Sequence, residues 1–199
     1  MRSRFQFAWR EEAASQIVEF AVSLPLLVVF VVGIFDFSGA FSLKHKLANA
    51  AREGARAAAA DPANDLGGPS SAVPASVGDA FQIVDHYLLD SKVDDCGLSS
   101  ASGTTSGNLT WTYTASSCSA GSGTLTLTIN RGYYLSSSST QAATNCTPQG
   151  IGATLTVIAT CVSIQYSYPW RFNRVVSLLG TTSNVPSTVT TTAVAINEN

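Results

Sequence analysis

An apolar run of 22 residues, from Phe20 to Phe41, constrains the fold of this chain most strongly, because it contains a single charged residue, Asp36. A helix of that length rises about 33 Å, which is enough to cross the hydrocarbon core of a bilayer with some tilt. The run therefore predicts one transmembrane helix. A carboxylate, Glu19, stands directly before it. An acid inside an apolar helix costs roughly a few kcal/mol and is a functional candidate, unless it marks the headgroup boundary; the residues alone leave both interpretations of Glu19 open.

A cleaved secretory signal is the alternative interpretation of the N-terminal region. Arg2, Arg4 and Arg10 give the chain a positive start, and the small residues at 57–60 could precede a cleavage site. That stretch lies well beyond the end of the apolar run, however, and the run is long for a signal core. The pattern therefore favours a retained transmembrane helix.

The helical pattern continues past the apolar run. Apolar and small residues recur there at three- and four-residue spacing, at Leu43, Leu47, Ala50, Gly54 and Ala57. Pro62 disfavours helical geometry at Asp61 and so predicts the end of the helix. We therefore expect one helix over residues 15–60, whose first half lies in lipid and whose second half is a packing spine for the rest of the chain.

The remainder of the chain predicts a small α+β head. Residues 61–79 are rich in Pro and Gly and are expected to form a linker, and DAFQIVDHYLLD has the period of a short amphipathic helix with Phe81, Val84 and Leu88 on one face. Four segments then alternate Thr with larger apolar residues, as half-buried antiparallel strands do: 108–114, 123–130, 153–168 and 187–197.

The low-complexity residues 135–145 are expected to form an exposed loop. The expected fold class is α+β: a long N-terminal transmembrane helix that continues into a small head, residues 80–199, with a short helix and an antiparallel sheet of about four strands packed on the spine.

All four cysteines fall in this head, at Cys96, Cys118, Cys146 and Cys161. Three pairings are open, of which Cys96 with Cys118 and Cys146 with Cys161 are the local ones. An even number of cysteines in a Ser/Thr-rich, cation-poor segment favours disulfides and an exported domain. We therefore expect the N-terminus in the cytoplasm and the head outside, although the cations on the two flanks of the apolar run do not decide the orientation.

The sequence contains no motif for catalysis, cofactor binding or metal binding. Its two histidines, His45 and His86, lie on predicted helices without further ligands at metal-binding spacing. There is no GxSxG elbow and no Gly-rich phosphate loop in a strand-helix context. With a net charge of -2 and no basic patch, nucleic acid is not an expected partner. We therefore expect a protein that is not an enzyme and needs no cofactor or metal.

The segment AASQIVEFAVSLPLLVVFVVGIFDF and the following LKHKLANAAREGARAAA resemble the TadE-like proteins, pseudopilins of the bacterial tight-adherence, or Flp-type, pilus machinery. The shared pattern is a small residue, four further residues, Glu-Phe or Glu-Tyr, an apolar run with Leu-Pro, an acid-aromatic pair and an Asn-Ala-Ala-Arg-Glu-Gly-Ala-Arg stretch. The likeness covers residues 14–60, and a weaker one extends to the closing TTAVAINEN.

The resemblance implies a type IV pilin-like precursor. A membrane prepilin peptidase would remove the cytoplasmic leader, residues 1–14, by cutting between Ala14 and Ser15. The family usually has Gly directly before the cut, and this chain has Ala14 there. Glu19, followed by Phe20, would then neutralise the new amino group of Ser15 on a neighbouring helix in a packed assembly, so that two costly charges become one pair.

The function that the resemblance implies is that of a minor pseudopilin-like component in the biogenesis of a Flp-type pilus. The chain would be a single-pass protein of the cytoplasmic membrane, with its N-terminus inside and its C-terminal domain outside. Its expected partners are the membrane, the prepilin peptidase, other pseudopilins and the pilus assembly platform, with a hetero-oligomer through the N-terminal helix as an option. A minor role is expected because major Flp pilins resemble little more than a bare helix, whereas this chain carries a full head domain.

Two other functions are left open by the sequence. The first is a single-pass, membrane-anchored extracytoplasmic binding or adhesion module, whose ligand would be recognised by aromatic residues of the head: Trp111, Tyr113, Tyr133, Tyr134, Tyr166, Tyr168 and Trp170. The second is a secreted hydrolase of unrecognised type, which would have to use His45 or His86.

Overall fold

The computed structural model describes residues 4–67, 72–107, 109–119, 123–136, 146, 155–172, 177 and 186–198. The chain divides into two compact units. Unit 1 comprises Met1–Gly39 and Trp170–Val185, and unit 2 comprises Ala40–Pro169 and Pro186–Asn199.

The first element is one helix, α1, which runs from Arg4 to Ala60. Its C-terminal end confirms the stop expected at Asp61 before Pro62. It begins earlier than the predicted start at residue 15, because the residues before 15 are good helix formers and contain neither Pro nor Gly. Pro25 lies inside the helix. The expected leader is thus helical from Arg4 onwards.

The second helix, α2, spans Ala75–Asp90, and a short 3-10 turn, Ala63–Gly67, precedes it. α2 begins within the segment expected to be a linker. Its N-terminus is held by Asp65, whose carboxylate accepts a hydrogen bond from the backbone N–H of Ser76 at 2.8 Å. This contact supplies a cap from outside the helix, since the residue before α2 is Pro74, which has no side-chain acceptor.

Unit 2 contains an antiparallel sheet of five strands in sequential order. The strands are β1 (Thr104–Gly107), β2 (Thr110–Ala115), β3 (Leu125–Ser136), β4 (Leu155–Ser167) and β5 (Thr188–Ile196). The last four correspond to the four predicted strands. β1 was not predicted, because TTSG has no apolar residue to show a period of two. β3 continues to Ser136, beyond its predicted end at 130, and the rest of the predicted loop, 137–145, lies outside the described residues.

One face of the sheet forms the core of unit 2 with the helices. Leu125, Leu127 and Ile129 of β3 are fully buried, and they pair with Tyr166, Ile164 and Val162 of β4. Val84 and Leu88, on the predicted apolar face of α2, are buried in the same cluster. The ring of Phe81, on the same face, packs on the ring of Tyr113 with centroids 4.4 Å apart. The alternating pattern therefore predicted the inward face correctly.

The spine also packs as its spacing predicted. Leu47, Ala50 and Gly54 are buried, and Ala51, Ala55 and Ala58 join them on the same side of α1. Gly54 lies in the closest contact: a Cβ at this position would lie 2.6 Å from Cγ2 of Val84 and 3.4 Å from the carbonyl oxygen of Ala80. The absence of a side chain at Gly54 is what allows α2 to approach α1.

Two glycines in helices provide a matched test of this packing. Gly54→Ala is expected to lower the midpoint of thermal unfolding, because the stiff, β-branched Val84 must move and overpacking costs about 1–3 kcal/mol, more than the helix propensity gained. Gly78→Ala in α2 is expected to raise the midpoint, since nothing lies within 4 Å of its added Cβ and Ala is favoured over Gly in a helix by about 0.8–1 kcal/mol. The measurement is a near-UV circular dichroism melt of the full chain in detergent; a rise in both variants would contradict the close approach.

Both local cysteine pairings are formed. Cys96 bonds to Cys118 and Cys146 bonds to Cys161. The second disulfide lies in a separate small cluster with Tyr133 and Ala159, on the side of β4 opposite to the inward-facing Val162, as alternation requires. The Cys96–Cys118 bridge therefore lies in the main core, and the Cys146–Cys161 bridge lies on the opposite face of the sheet.

Asp94 ties together the two segments that the Cys96–Cys118 bridge joins. Its carboxylate accepts the backbone N–H of Cys96 at 3.0 Å and that of Ser119 at 2.6 Å. Burial acts to raise the pKa of Asp94, but these hydrogen bonds to its charged form outweigh burial and lower the pKa below its ordinary value.

This arrangement predicts a pH-dependent stability. Because the folded-state pKa of Asp94 lies below the unfolded value of about 3.9, its stabilisation is fully present above that value and is lost as the pH falls through the folded-state pKa. Asp94→Asn is expected to destabilise the protein by about 1 kcal/mol at neutral pH, and the difference in unfolding midpoint from wild type is expected to narrow towards acid. Asp90→Asn, on the exposed end of α2, is the control and should change stability by less than about 0.5 kcal/mol. A difference for Asp94→Asn that is independent of pH would refute the assignment.

Candidate functional site

The first half of α1 presents an apolar surface of which the described part of the chain covers only the small area around Gly33 and Asp36. The segment Ser15–Ala60 is long and apolar enough to span a membrane. Its most hydrophobic 18-residue window is only 6% buried, and Phe20, Val22 and Leu26 are among its exposed side chains. Exposing an apolar surface of this size to water is unfavourable, so the surface is expected to contact lipid or other apolar helices.

The expected processing residues lie on this uncovered segment. Ala14 and Ser15 are consecutive residues inside α1, and Ser15, Glu19 and Phe20 are exposed. Ser15 and Glu19 are four residues apart, so they share one helix face with a rise of about 6 Å between them. Among the side chains that the structure describes, no cation pairs with Glu19. The geometry therefore leaves the Glu19 carboxylate accessible to a neighbouring chain.

The other end of the apolar run contains a contact that the sequence did not predict. In unit 1, the carboxylate of Asp36 accepts the backbone N–H of Phe172 at 2.9 Å. The ring of Phe37 packs on those of Trp170 and Phe172, with centroids 5.1 and 6.3 Å apart. The sequence shows the lone charge of the apolar run and the aromatic residues of YPWRF, 168–172, but neither pattern predicts that the two segments are in contact.

A second residue missed from the sequence is Arg131 of β3, whose guanidinium is buried at the C-terminal end of α1. It donates hydrogen bonds to the carbonyl oxygens of Ala58 and Asp61, the latter at 3.0 Å, and to the hydroxyl of Thr160 at 3.0 Å. A cation is favoured there by the helix dipole and by carbonyls that lack helical partners. Burial lowers the pKa of Arg131, while the nearby carboxylates of Asp65 and Asp61 act to raise it.

An open acidic groove lies beside the end of α1 and α2 in unit 2. Its lining includes Glu53, Asp61, Asp79, His86 and Asp90 around the apolar side chains of Ile83 and Tyr87. His45 and His86 are both exposed and lie on different helices. Among the described residues, no group of three or more His, Cys, Asp or Glu side chains is placed to hold a metal ion.

The aromatic residues considered for ligand recognition are mostly inside the fold. Trp111, Tyr113, Tyr133 and Tyr166 are buried, whereas Tyr168 and Trp170 are partly exposed and the side chain of Tyr134 lies outside the described ones. Burial raises the pKa values of Tyr113 and Tyr166, in agreement with their place in the core. The sheet therefore does not present these four rings to a ligand.

Comparison with known proteins identifies the N-terminal segment. The family model described as TadE-like protein matches residues 14–56, the stretch that holds Ser15, Glu19, the apolar run, Asp36 and most of the buried spine. Comparisons with curated proteins and with solved structures gave no match. The match supports involvement of the chain in the Tad/Flp pilus system, and it confirms the family resemblance over residues 14–56, which are similar to TadE-like proteins.

Proposed function

We propose that this protein is a minor pseudopilin-like component in the biogenesis of a Flp-type pilus, anchored by a single pass in the cytoplasmic membrane with its C-terminal domain outside. The observation that carries the proposal is the uncovered apolar half of α1 with an exposed carboxylate, Glu19, inside the TadE-like segment. A chain used only as an anchor needs no acid at this position, whereas a helix that packs against other helices can use one for pairing.

The proposed mechanism begins with removal of residues 1–14 by a prepilin peptidase. Cleavage of the Ala14–Ser15 bond consumes one water and leaves a protonated amino group at Ser15. The same group on one chain and Glu19 on the next then form an ion pair at the membrane boundary. Each charge alone is costly next to lipid, so pairing favours association and fixes the axial register of adjacent helices.

The rest of the chain has a supporting role in this proposal. The spine residues of α1 carry the sheet of unit 2, and the two disulfides suit an oxidising compartment outside the cytoplasm. The role is non-enzymatic, with other pseudopilins and the assembly platform as partners. Burial of Trp111, Tyr113, Tyr133 and Tyr166 takes four of the seven aromatic residues named for a binding module away from the surface.

A helix exchange in the native host tests assembly against simple anchoring. Residues 15–32 are replaced by an unrelated apolar helix of the same length, which retains the membrane anchor and leaves the residues that pack in unit 2 unchanged. We expect the exchanged chain to reach the membrane and to fail to restore sheared surface fibres in a deletion strain, whereas the wild-type chain restores them. Full restoration by the exchanged chain would show that the sequence of residues 15–32 has no role in assembly beyond anchoring, which would contradict the proposed mechanism.

A further inference from the structure

The C-terminal end of the apolar run carries a second, unassigned feature of unit 1. The segment 170–172, which follows β4, lies directly on the helix there. Gly33 permits the contact, since a Cβ at this position would lie 3.3 Å from the ring of Phe172. The rings of Trp170 and Phe172 thus occupy the surface of α1 at Gly33 and Phe37.

The position of this contact along the helix places it near the end of the span. With a rise of about 1.5 Å per residue, Asp36 lies about 24 Å from Phe20 in a span of about 33 Å, so it is within roughly two turns of Phe41. The level at which the hydrocarbon core gives way to the headgroups therefore lies within about 9 Å of Asp36, on the side of the membrane that carries the C-terminal residues.

The segment covers the one acid of the span and leaves the apolar faces uncovered. Asp36 is 6% exposed, whereas its neighbours Ile34 and Phe35 are 68% and 75% exposed. A bare carboxylate at this depth would be costly, and the N–H of Phe172 stabilises it through a charge-assisted hydrogen bond. The apolar side chains around the rest of the helix circumference remain available to lipid.

The side chains of the segment match the chemistry of a headgroup layer. Trp170 and Phe172 are partly exposed, and Arg171 between them is exposed. Tryptophan is enriched at membrane interfaces, where its ring has an apolar body and a polar edge, and a guanidinium binds phosphate with paired hydrogen bonds. The positive charge of Arg171 complements anionic phospholipid, and the segment adjoins the membrane span. Both observations point to phospholipid headgroups as the binding partner.

We propose that Trp170, Arg171 and Phe172 form an interface anchor, in which Asp36 holds the segment on the transmembrane helix while Trp170 and Arg171 contact phospholipid headgroups. The anchor fixes residues 170–172 at the membrane surface. It does not depend on leader removal or on pilus assembly, so it can be tested in the isolated protein.

The experiment uses depth-dependent fluorescence quenching in vesicles of phosphatidylcholine and phosphatidylglycerol. Trp9→Phe with Trp111→Phe leaves Trp170 as the single tryptophan of the full chain, which has three. We expect its emission to be quenched several-fold more by lipid bromines near the headgroup than by aqueous iodide. The control retains only Trp111, which is buried in the sheet and should respond to neither quencher. Strong iodide quenching of Trp170 without lipid quenching would overturn the proposal.

Substitutions at Asp36 and Arg171 separate the two parts of the anchor. Asp36→Leu removes the acceptor and is expected to increase iodide quenching of Trp170 several-fold, while Asp36→Asn retains an acceptor oxygen and should restore most of the protection. Arg171→Gln is expected to remove the dependence of lipid quenching on the phosphatidylglycerol content. Unchanged quenching in Asp36→Leu would refute the role of Asp36, and an unchanged lipid dependence in Arg171→Gln would refute the headgroup contact. Far-UV circular dichroism of each variant checks that the fold is retained.

Discussion

A chain carrying Glu19→Gln is expected to reach the membrane in normal amount and to be depleted at least about tenfold from the assembled pilus fraction. The physical reason is that Gln cannot neutralise the amino group of Ser15 on a neighbouring chain. An unpaired charge at the edge of the hydrocarbon costs roughly 2–3 kcal/mol, and about 1.4 kcal/mol corresponds to a tenfold change in association. The measurement is quantitative immunoblotting of total membrane and sheared fractions from the native host.

The matched control for Glu19→Gln is Glu53→Gln. It makes the same chemical change on the same helix, but Glu53 is exposed in unit 2, where it pairs with Arg56 at 3.5 Å, and such surface pairs contribute about 0–1 kcal/mol. We expect normal assembly of this control. Normal assembly of Glu19→Gln as well would show that Glu19 marks the headgroup boundary and has no role in pairing.

The second large effect is expected at Arg131, and it concerns folding. Arg131→Met retains the length and apolar volume of the side chain but leaves the carbonyls of Ala58 and Asp61 and the Thr160 hydroxyl without their donor. Each buried acceptor left unsatisfied costs about 1–3 kcal/mol, so a total loss of about 3–5 kcal/mol is expected. The near-UV circular dichroism melt of the full chain in detergent would show a fall in midpoint of roughly 10 °C or more.

Two further variants define the cause of this effect. Arg131→Lys keeps the charge but cannot direct donors to three separated acceptors, and an intermediate loss is expected. Arg56→Met makes the same Arg-to-Met change at a side chain that is 73% exposed, and it should be nearly neutral. An Arg131→Met protein as stable as Arg56→Met would show that the guanidinium does not hold the end of α1 to the sheet.

The parts of this structure that the sequence predicted are those encoded by a local period. The spine seam around Leu47, Ala50 and Gly54 followed from helical spacing, and β2 to β5 followed from the alternation of Thr with apolar residues. The sequence left three disulfide pairings open, and the two local pairs were assigned only in the structure.

What the sequence did not predict depends on partners far apart in the chain. Arg131 and Ala58 are 73 residues apart, and Phe172 and Asp36 are 136 apart. Arg131 could have been noticed as a rare cation in an alternating strand, but its acceptors are backbone carbonyls, which leave no pattern in the side chains. Asp36 was visible as the lone charge of the span, but its partner is the backbone N–H of Phe172, which likewise leaves no pattern in the side chains.

The helix boundary at the N-terminus is a different case. The predicted start at residue 15 did not rest on any residue that ends a helix, since neither Pro nor Gly precedes it. α1 accordingly continues back to Arg4. Processing and helix formation are independent properties of this segment, and only chemical analysis of the mature chain separates them.

The most direct test of the central claim is therefore the intact mass, with N-terminal sequencing, of the protein extracted from membranes of a host that carries the cognate prepilin peptidase. A peptidase-deficient strain is the control. The account predicts a chain that begins at Ser15 in the first host and at Met1 in the second. A chain that begins at Met1 in both hosts, or one that begins near Asp61, would contradict pilin-type processing.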